Sequence, residues 1–201
     1  MNLKKSKKFA QLTEQDLDFK IACVTGQMAA GKNFISNAME KNFGCVSFDL
    51  DVCVHTVIKR NEKKILDAFS LDAKSAGIDL LSKDGSLDRR ALGKLIFSDK
   101  TLIQKQENLV YPKVIKATKD FINKNSDKKL ILNAALLYKT PELLALCEKI
   151  FFVRASFLKR LWRAVLRDKI SIAQILKRFR AQRQVLLEYQ KTGKQIVFIK
   201  N

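Results

Sequence analysis

The chain has 201 residues, with 39 lysines and arginines against 20 aspartates and glutamates and a formal charge of +19. That length suits one globular domain with a sizeable core. No apolar run approaches a membrane-spanning helix, so no membrane span is expected, whereas the charge favours polyanionic ligands: nucleic acid, anionic surfaces or phosphorylated small molecules. The basic opening, residues 1–8, lacks the apolar centre of a signal peptide, and a cytoplasmic location is expected. Cys23, Cys45, Cys53 and Cys147 lie in apolar surroundings without CxxC spacing, which predicts reduced thiols packed in the core. No zinc-finger spacing or aromatic RNA-binding consensus is present, so nucleic acid is not the expected partner, although the charge does not exclude it.

In chain order, residues 1–19 are polar with little periodicity, predicting a loosely ordered tail ahead of a single domain over 20–201. Ile21-Ala22-Cys23-Val24 predicts a short buried strand, and from Phe34 to Met39 the apolar residues fall at helical spacing. Between them lies Gly26-Gln27-Met28-Ala29-Ala30-Gly31-Lys32-Asn33. Strand, glycine loop and helix in that order predict a phosphate-binding loop, in which backbone N–H groups and the helix N-terminus face the anion and Lys32 reaches the outer phosphates. The pattern calls for Ser or Thr after the lysine, where a hydroxyl helps to hold Mg²⁺; here the residue is Asn33, whose amide oxygen is an acceptable ligand. The plainer alternative is a strand-to-helix turn with a surface lysine.

Cys45-Val46-Ser47-Phe48 predicts a second strand ending in Asp49-Leu50-Asp51. Two carboxylates two apart at a strand end suit proton acceptance or a metal-bound water beside a phosphate loop, or else a turn that caps the next helix. His55, the only histidine, is a substrate-contact candidate. Residues 56–126 are helical for most of their length, predicting a substrate-holding lobe inserted between strands. Leu130-Ile131-Leu132 predicts a third strand, Ile150-Phe151-Phe152-Val153 a fourth and Gln195-Ile196-Val197-Phe198-Ile199 a fifth, with a short helix beginning at Pro141. Strands alternating with helices predict an α/β protein built on a parallel sheet with helices on both faces. Before the fifth strand, Leu158, Leu161, Trp162, Val165 and Leu166 have the spacing of a buried stripe, and Arg160, Arg163 and Arg167 form a row on another face. Such a helix suits a lid over a triphosphate; a basic solvated face is the alternative.

Taken together, these residues resemble the dephospho-coenzyme A kinase family of P-loop enzymes from about Ile21 onward. The resemblance rests on Val24-Thr25-Gly26 and the loop, Asp49-Leu50-Asp51 with His55, Gly85-Ser86-Leu87-Asp88-Arg89-Arg90-Ala91-Leu92 followed by Ile96-Phe97, Arg163, Arg167-Asp168, and Arg178 with Gln182. It implies a three-layer P-loop kinase fold with a five-stranded parallel sheet, a coenzyme-binding lobe over 56–126 and a helical lid over 155–190. It also implies ATP with Mg²⁺, and transfer of phosphate to the ribose 3′-hydroxyl of dephospho-coenzyme A. Asp51 is then similar to the family's general base, Asp49 to its companion, Lys32 to the phosphate-bridging lysine, and Arg163 and Arg167 to the lid arginines. His55, Arg89 and Tyr111 fall on the acceptor side, and Gly26, Met28, Ala29, Ala30, Gly31, Asn33 and Phe34 on the nucleotide side. The chain departs from the usual pattern at Ala29, Ala30, Asn33 and Phe34, at Tyr111, which stands for a histidine, and at Lys139, which stands for an acid. Two other readings stay open: a nucleotide- or polyanion-binding protein without turnover, and a kinase for another nucleoside or nucleotide.

Overall fold

A computed structural model describes residues 9, 12–168 and 170–201. They fall into two compact units, Met1–Asp51 with Asp120–Asn201, and Val52–Lys119.

The first unit is organised on five parallel strands: β1 (Ile21–Gly26), β2 (Val46–Asp49), β3 (Leu130–Asn133), β4 (Lys149–Arg154) and β5 (Gln195–Lys200), in the order β2-β3-β1-β4-β5. β1 is central, and Ala22 to Gly26 are all buried, as a strand covered on both faces requires. Alternation divides its side chains. Ala22 and Val24 join Phe19, Ile131, Phe151, Val153 and Ile199 in a core completed by Ile35 and Met39 of α2 (Lys32–Phe43). Cys23 and Thr25 take the other face, where Tyr189 is fully buried. The short helix expected at Pro141 is α7 (Pro141–Ala145), with the proline in its first turn.

Cys23, Cys45 and Cys147 are free and buried. Desolvation raises all three thiols, Cys45 to about 11 and Cys147 to about 12, so they stay protonated and inert. At Cys147 burial outweighs the attraction of Lys194, and at Cys45 it outweighs that of Lys129. Cys53 departs from the expectation of a core position: it is only half-buried, and burial raises its thiol as well.

Two further expectations for the first unit are corrected. The tail expected over residues 1–19 is packed where it is described: Phe9 and Leu12 lie in the core, and Thr13 forms a capping box with Asp16 at the start of α1 (Glu14–Leu17). Apolar side chains at 9, 12 and 19 outweigh the polar composition around them; residues 1–8, 10 and 11 lie outside the described residues. The second correction concerns α8 (Phe157–Asp168). Most of the stripe expected to be buried is open to solvent, with Leu158 75%, Trp162 65% and Leu166 62% exposed; Leu161 is partly buried, and Arg160 and Ala164 are the buried positions. Periodicity identifies the helix but not the inward face, because α8 packs through Ala164 on α9 (Ile172–Ala181), against Ile175 and Phe179.

The second unit is helical, with α4 (Glu62–Ser75) and α5 (Arg89–Ile96) between the end of α3 (Leu50–Arg60) and the long α6 (Lys100–Lys124). Ile65, Phe69 and Ala73 make the buried row of α4, and Leu92, Leu95 and Ile96 that of α5. The Gly85 to Leu92 segment is a turn and a helix start. Gly85 has φ 80, Leu81 bridges Leu87, and the Asp88 carboxylate caps α5 by accepting from the N–H groups of Arg90 and Ala91 at 2.7 and 3.1 Å.

Behind the sheet, the Tyr189 hydroxyl of α10 (Val185–Gln190) accepts from the Leu137 N–H at 2.8 Å and donates to the Ala135 carbonyl at 3.4 Å. Tyr189→Phe leaves a buried N–H without its acceptor, so it should destabilise the fold by about 1–3 kcal/mol. Urea denaturation should show a lower midpoint at an unchanged slope.

Candidate active site

The site is built from the carboxyl ends of β1, β2 and β3, where parallel α/β sheets place their ligands. β1 ends at Gly26, and an added Cβ there would stand 2.6 Å from the Val153 carbonyl of neighbouring β4. The chain then turns through residues 27–30, closed by the Ala30 N–H on the Gln27 carbonyl at 3.1 Å. Ala29 has φ 60, the one positive φ outside glycine among the described residues, at a cost of about 1–2 kcal/mol. Gly31, at φ 98, is the N-cap of α2, and Lys32 begins that helix. The first N–H groups of a helix have no partner within it, so α2 opens on the loop with an anion-binding end.

The other side of the loop is held by side chains from later in the chain. Arg160 Nε donates to the Met28 carbonyl at 2.9 Å and its Nη1 to Gln27 Oε1 at 2.6 Å. Arg163 Nη1 donates to the carbonyls of Ala29 and Ala30 at 3.5 and 3.2 Å, and Asn201 Nδ2 to that of Ala30 at 2.8 Å. The Met28 N–H donates to Gln182 Oε1 at 2.6 Å. Met28, expected among the nucleotide contacts, therefore has both backbone groups engaged and its side chain packed with Ala164, Ile175 and Phe179. It anchors the loop. The sequence shows Arg160 only as one member of a basic row and gives no sign of Asn201.

Beside Lys32, Asn33 bridges two strands: its Nδ2 donates to Asp49 Oδ2 at 3.0 Å and its Oδ1 accepts from Asn133 Nδ2 at 3.0 Å. Asn133, at the end of β3, is buried, and its Oδ1 has no hydrogen-bond partner among the described residues. Asn133 is not among the expected site residues, although a polar residue ending an apolar strand is a signal for it. Asp51 lies exposed in the first turn of α3, where a carboxylate is favoured by the helix dipole. Arg167 pairs with Asp168 through two bonds of 2.6 and 3.1 Å; that contact holds the Asp168 carboxyl below its ordinary range and raises the arginine. In the second unit, Arg89 lies against the imidazole of His55, and the Tyr111 hydroxyl donates to Glu107 at 3.1 Å. Phe34 is exposed at the first turn of α2.

A parallel sheet, a lysine-bearing glycine loop and the carboxylates of Asp49, at the end of β2, and Asp51, in the helix that follows it, define a P-loop phosphotransferase. The family model for dephospho-CoA kinase matches residues 20–198. The dephospho-CoA kinase of Treponema pallidum is 33% identical over 163 residues, 80% of this chain and 76% of that protein. That of Treponema denticola is 30% identical over 182 residues, 89% and 80% of the two chains. A crystal structure of a Thermus thermophilus protein shares the fold with a TM-score of 0.73 at 24% identity, covering 90% of this chain and 87% of its own. The chain belongs to the dephospho-CoA kinase family.

A Cβ at residue 31 would stand 1.9 Å from Asn201 Nδ2, at a φ that L-residues rarely adopt. Gly31→Ala should therefore displace the Asn201 contact and weaken ATP binding tenfold or more, as read by calorimetry.

Proposed function

We propose that the protein transfers the γ-phosphoryl group of ATP to the ribose 3′-hydroxyl of dephospho-coenzyme A, giving coenzyme A and ADP. The family match over residues 20–198 carries this reading, and the loop from Gly26 to Asn33 supports it. The N–H groups around Gly31 and Lys32 cradle the phosphates, and the Lys32 ammonium follows the charge that moves toward the leaving ADP. Asp51 receives or orients the hydroxyl proton, with Asp49 as its companion. Arg163 and Arg167 act on the triphosphate: Arg163 keeps donors beyond the Nη1 that binds the loop, and Arg167 is held by Asp168. His55, Arg89 and Tyr111 are assigned to the acceptor.

The oxygen donors Asp49 and Asn133 Oδ1, the latter without a hydrogen-bond partner among the described residues, fit Mg²⁺, a hard cation that takes few protein ligands beside substrate phosphates. Bound there, the ion would neutralise phosphate charge during transfer. Asn33 is already tied to Asp49 and Asn133, and this favours a role in orienting them over direct ligation.

With ATP, Mg²⁺ and dephospho-coenzyme A, purified protein should release ADP in an acceptor-dependent way, with coenzyme A as product. ADP formation that ignores the acceptor would refute the reading. Lys32→Ala and Asp51→Asn should each lower kcat by about 10²-fold or more while the fold is retained; a folded variant that turns over normally removes its residue from the mechanism.

A further inference from the structure

The loop's peptide planes show what Arg160 does. In a trans peptide, a carbonyl and the N–H that follows it point in opposite directions. Fixing the Met28 carbonyl therefore aims the Ala29 N–H away from α8, and fixing the Ala30 carbonyl does the same for the Gly31 N–H. Arg160 controls the first of these planes and Arg163 with Asn201 the second. The first is the demanding one, because it leads into Ala29 at φ 60.

Arg160 also differs from the other arginines of its row. It is only 7% exposed, and its guanidinium lies 4.4 Å from the centre of the Phe179 ring. Its polar partners among the described residues are a backbone carbonyl and the Gln27 amide oxygen, neither of them a carboxylate. A buried cation is normally paired. Here desolvation shifts the guanidinium below its ordinary range without removing its proton, so a positive charge is retained behind the loop.

We propose that Arg160 is a positioning residue for nucleotide binding: it sets the peptide plane that presents the Ala29 N–H to the phosphates and supplies a positive charge, paired with no carboxylate among the described residues, behind the loop. This rests on the nucleotide-binding reading of the loop. Unlike Arg163 and Arg167, it acts through the loop and touches no substrate atom.

The test is calorimetric titration of wild-type protein, Arg160→Met and Arg160→Lys with ATP and, separately, with dephospho-coenzyme A, alongside thermal unfolding. Arg160→Met should weaken ATP binding tenfold or more and leave dephospho-coenzyme A within twofold. Arg160→Lys keeps the charge but cannot bond Met28 and Gln27 in one planar fork, so it should lose threefold to tenfold for ATP. In turnover, KM for ATP should rise by more than kcat falls. A folded Arg160→Met with ATP affinity within twofold of wild type overturns the proposal, as does an equal loss for both ligands together with a lower melting temperature, which marks a purely structural role. If Arg160→Met does not fold, wild-type ATP affinity in Arg160→Lys overturns it. Wild-type protein that binds no ATP fails the functional reading itself, a result distinct from any effect at Arg160.

Discussion

A loop that turns its N–H groups toward an anion must turn carbonyls away from it, and those carbonyls need partners of their own. Much of the first unit can be understood from that constraint. The carbonyls of Met28, Ala29 and Ala30 are received by Arg160, Arg163 and Asn201, while Gln182 takes the Met28 N–H. Met28 then fixes the loop to α8 and α9 through its side chain. The central strand below it, buried on both faces, supplies the rigid base.

The same constraint accounts for alanines in a loop of this kind. Ala29 is held at a backbone conformation that glycine adopts more readily, and the donors behind the loop offset that strain. Gly26 and Gly31 cannot be exchanged in this way, because the obstacle at each is a neighbouring atom as well as a torsion angle: the Val153 carbonyl at one, the Asn201 amide at the other.

The inner strands were legible because a parallel sheet buries them on both faces, so they read as unbroken apolar runs: Leu130 to Leu132, Ile150 to Val153. The loop was legible because its residues are consecutive. What could not be read was which face of a helix turns inward when its composition points the other way. In α8 the apolar spacing of Leu158, Trp162 and Leu166 outvoted Arg160, yet Arg160 is the residue with partners to meet. Asn133 was hidden for a different reason: its partners, Asn33 and Asp49, are 100 and 84 positions away, and no local pattern links them. In the second unit the Asp88 cap joins near neighbours in sequence, the N–H groups of Arg90 and Ala91.

The loop's dependence on distant residues has a consequence for how the protein is made. Its own residues leave the ribosome before those that hold it, and β1 lacks its flanking strands until β3 and β4, which begin at Leu130 and Lys149, have emerged. The contacts from Arg160, Gln182 and Asn201 arrive later still, at separations of 132, 154 and 171 residues. Until those segments have been made, a nascent chain carries the loop sequence without the contacts that shape it. A ligand that needs the finished loop can stabilise the chain only once the segment that follows β4 has folded back onto it.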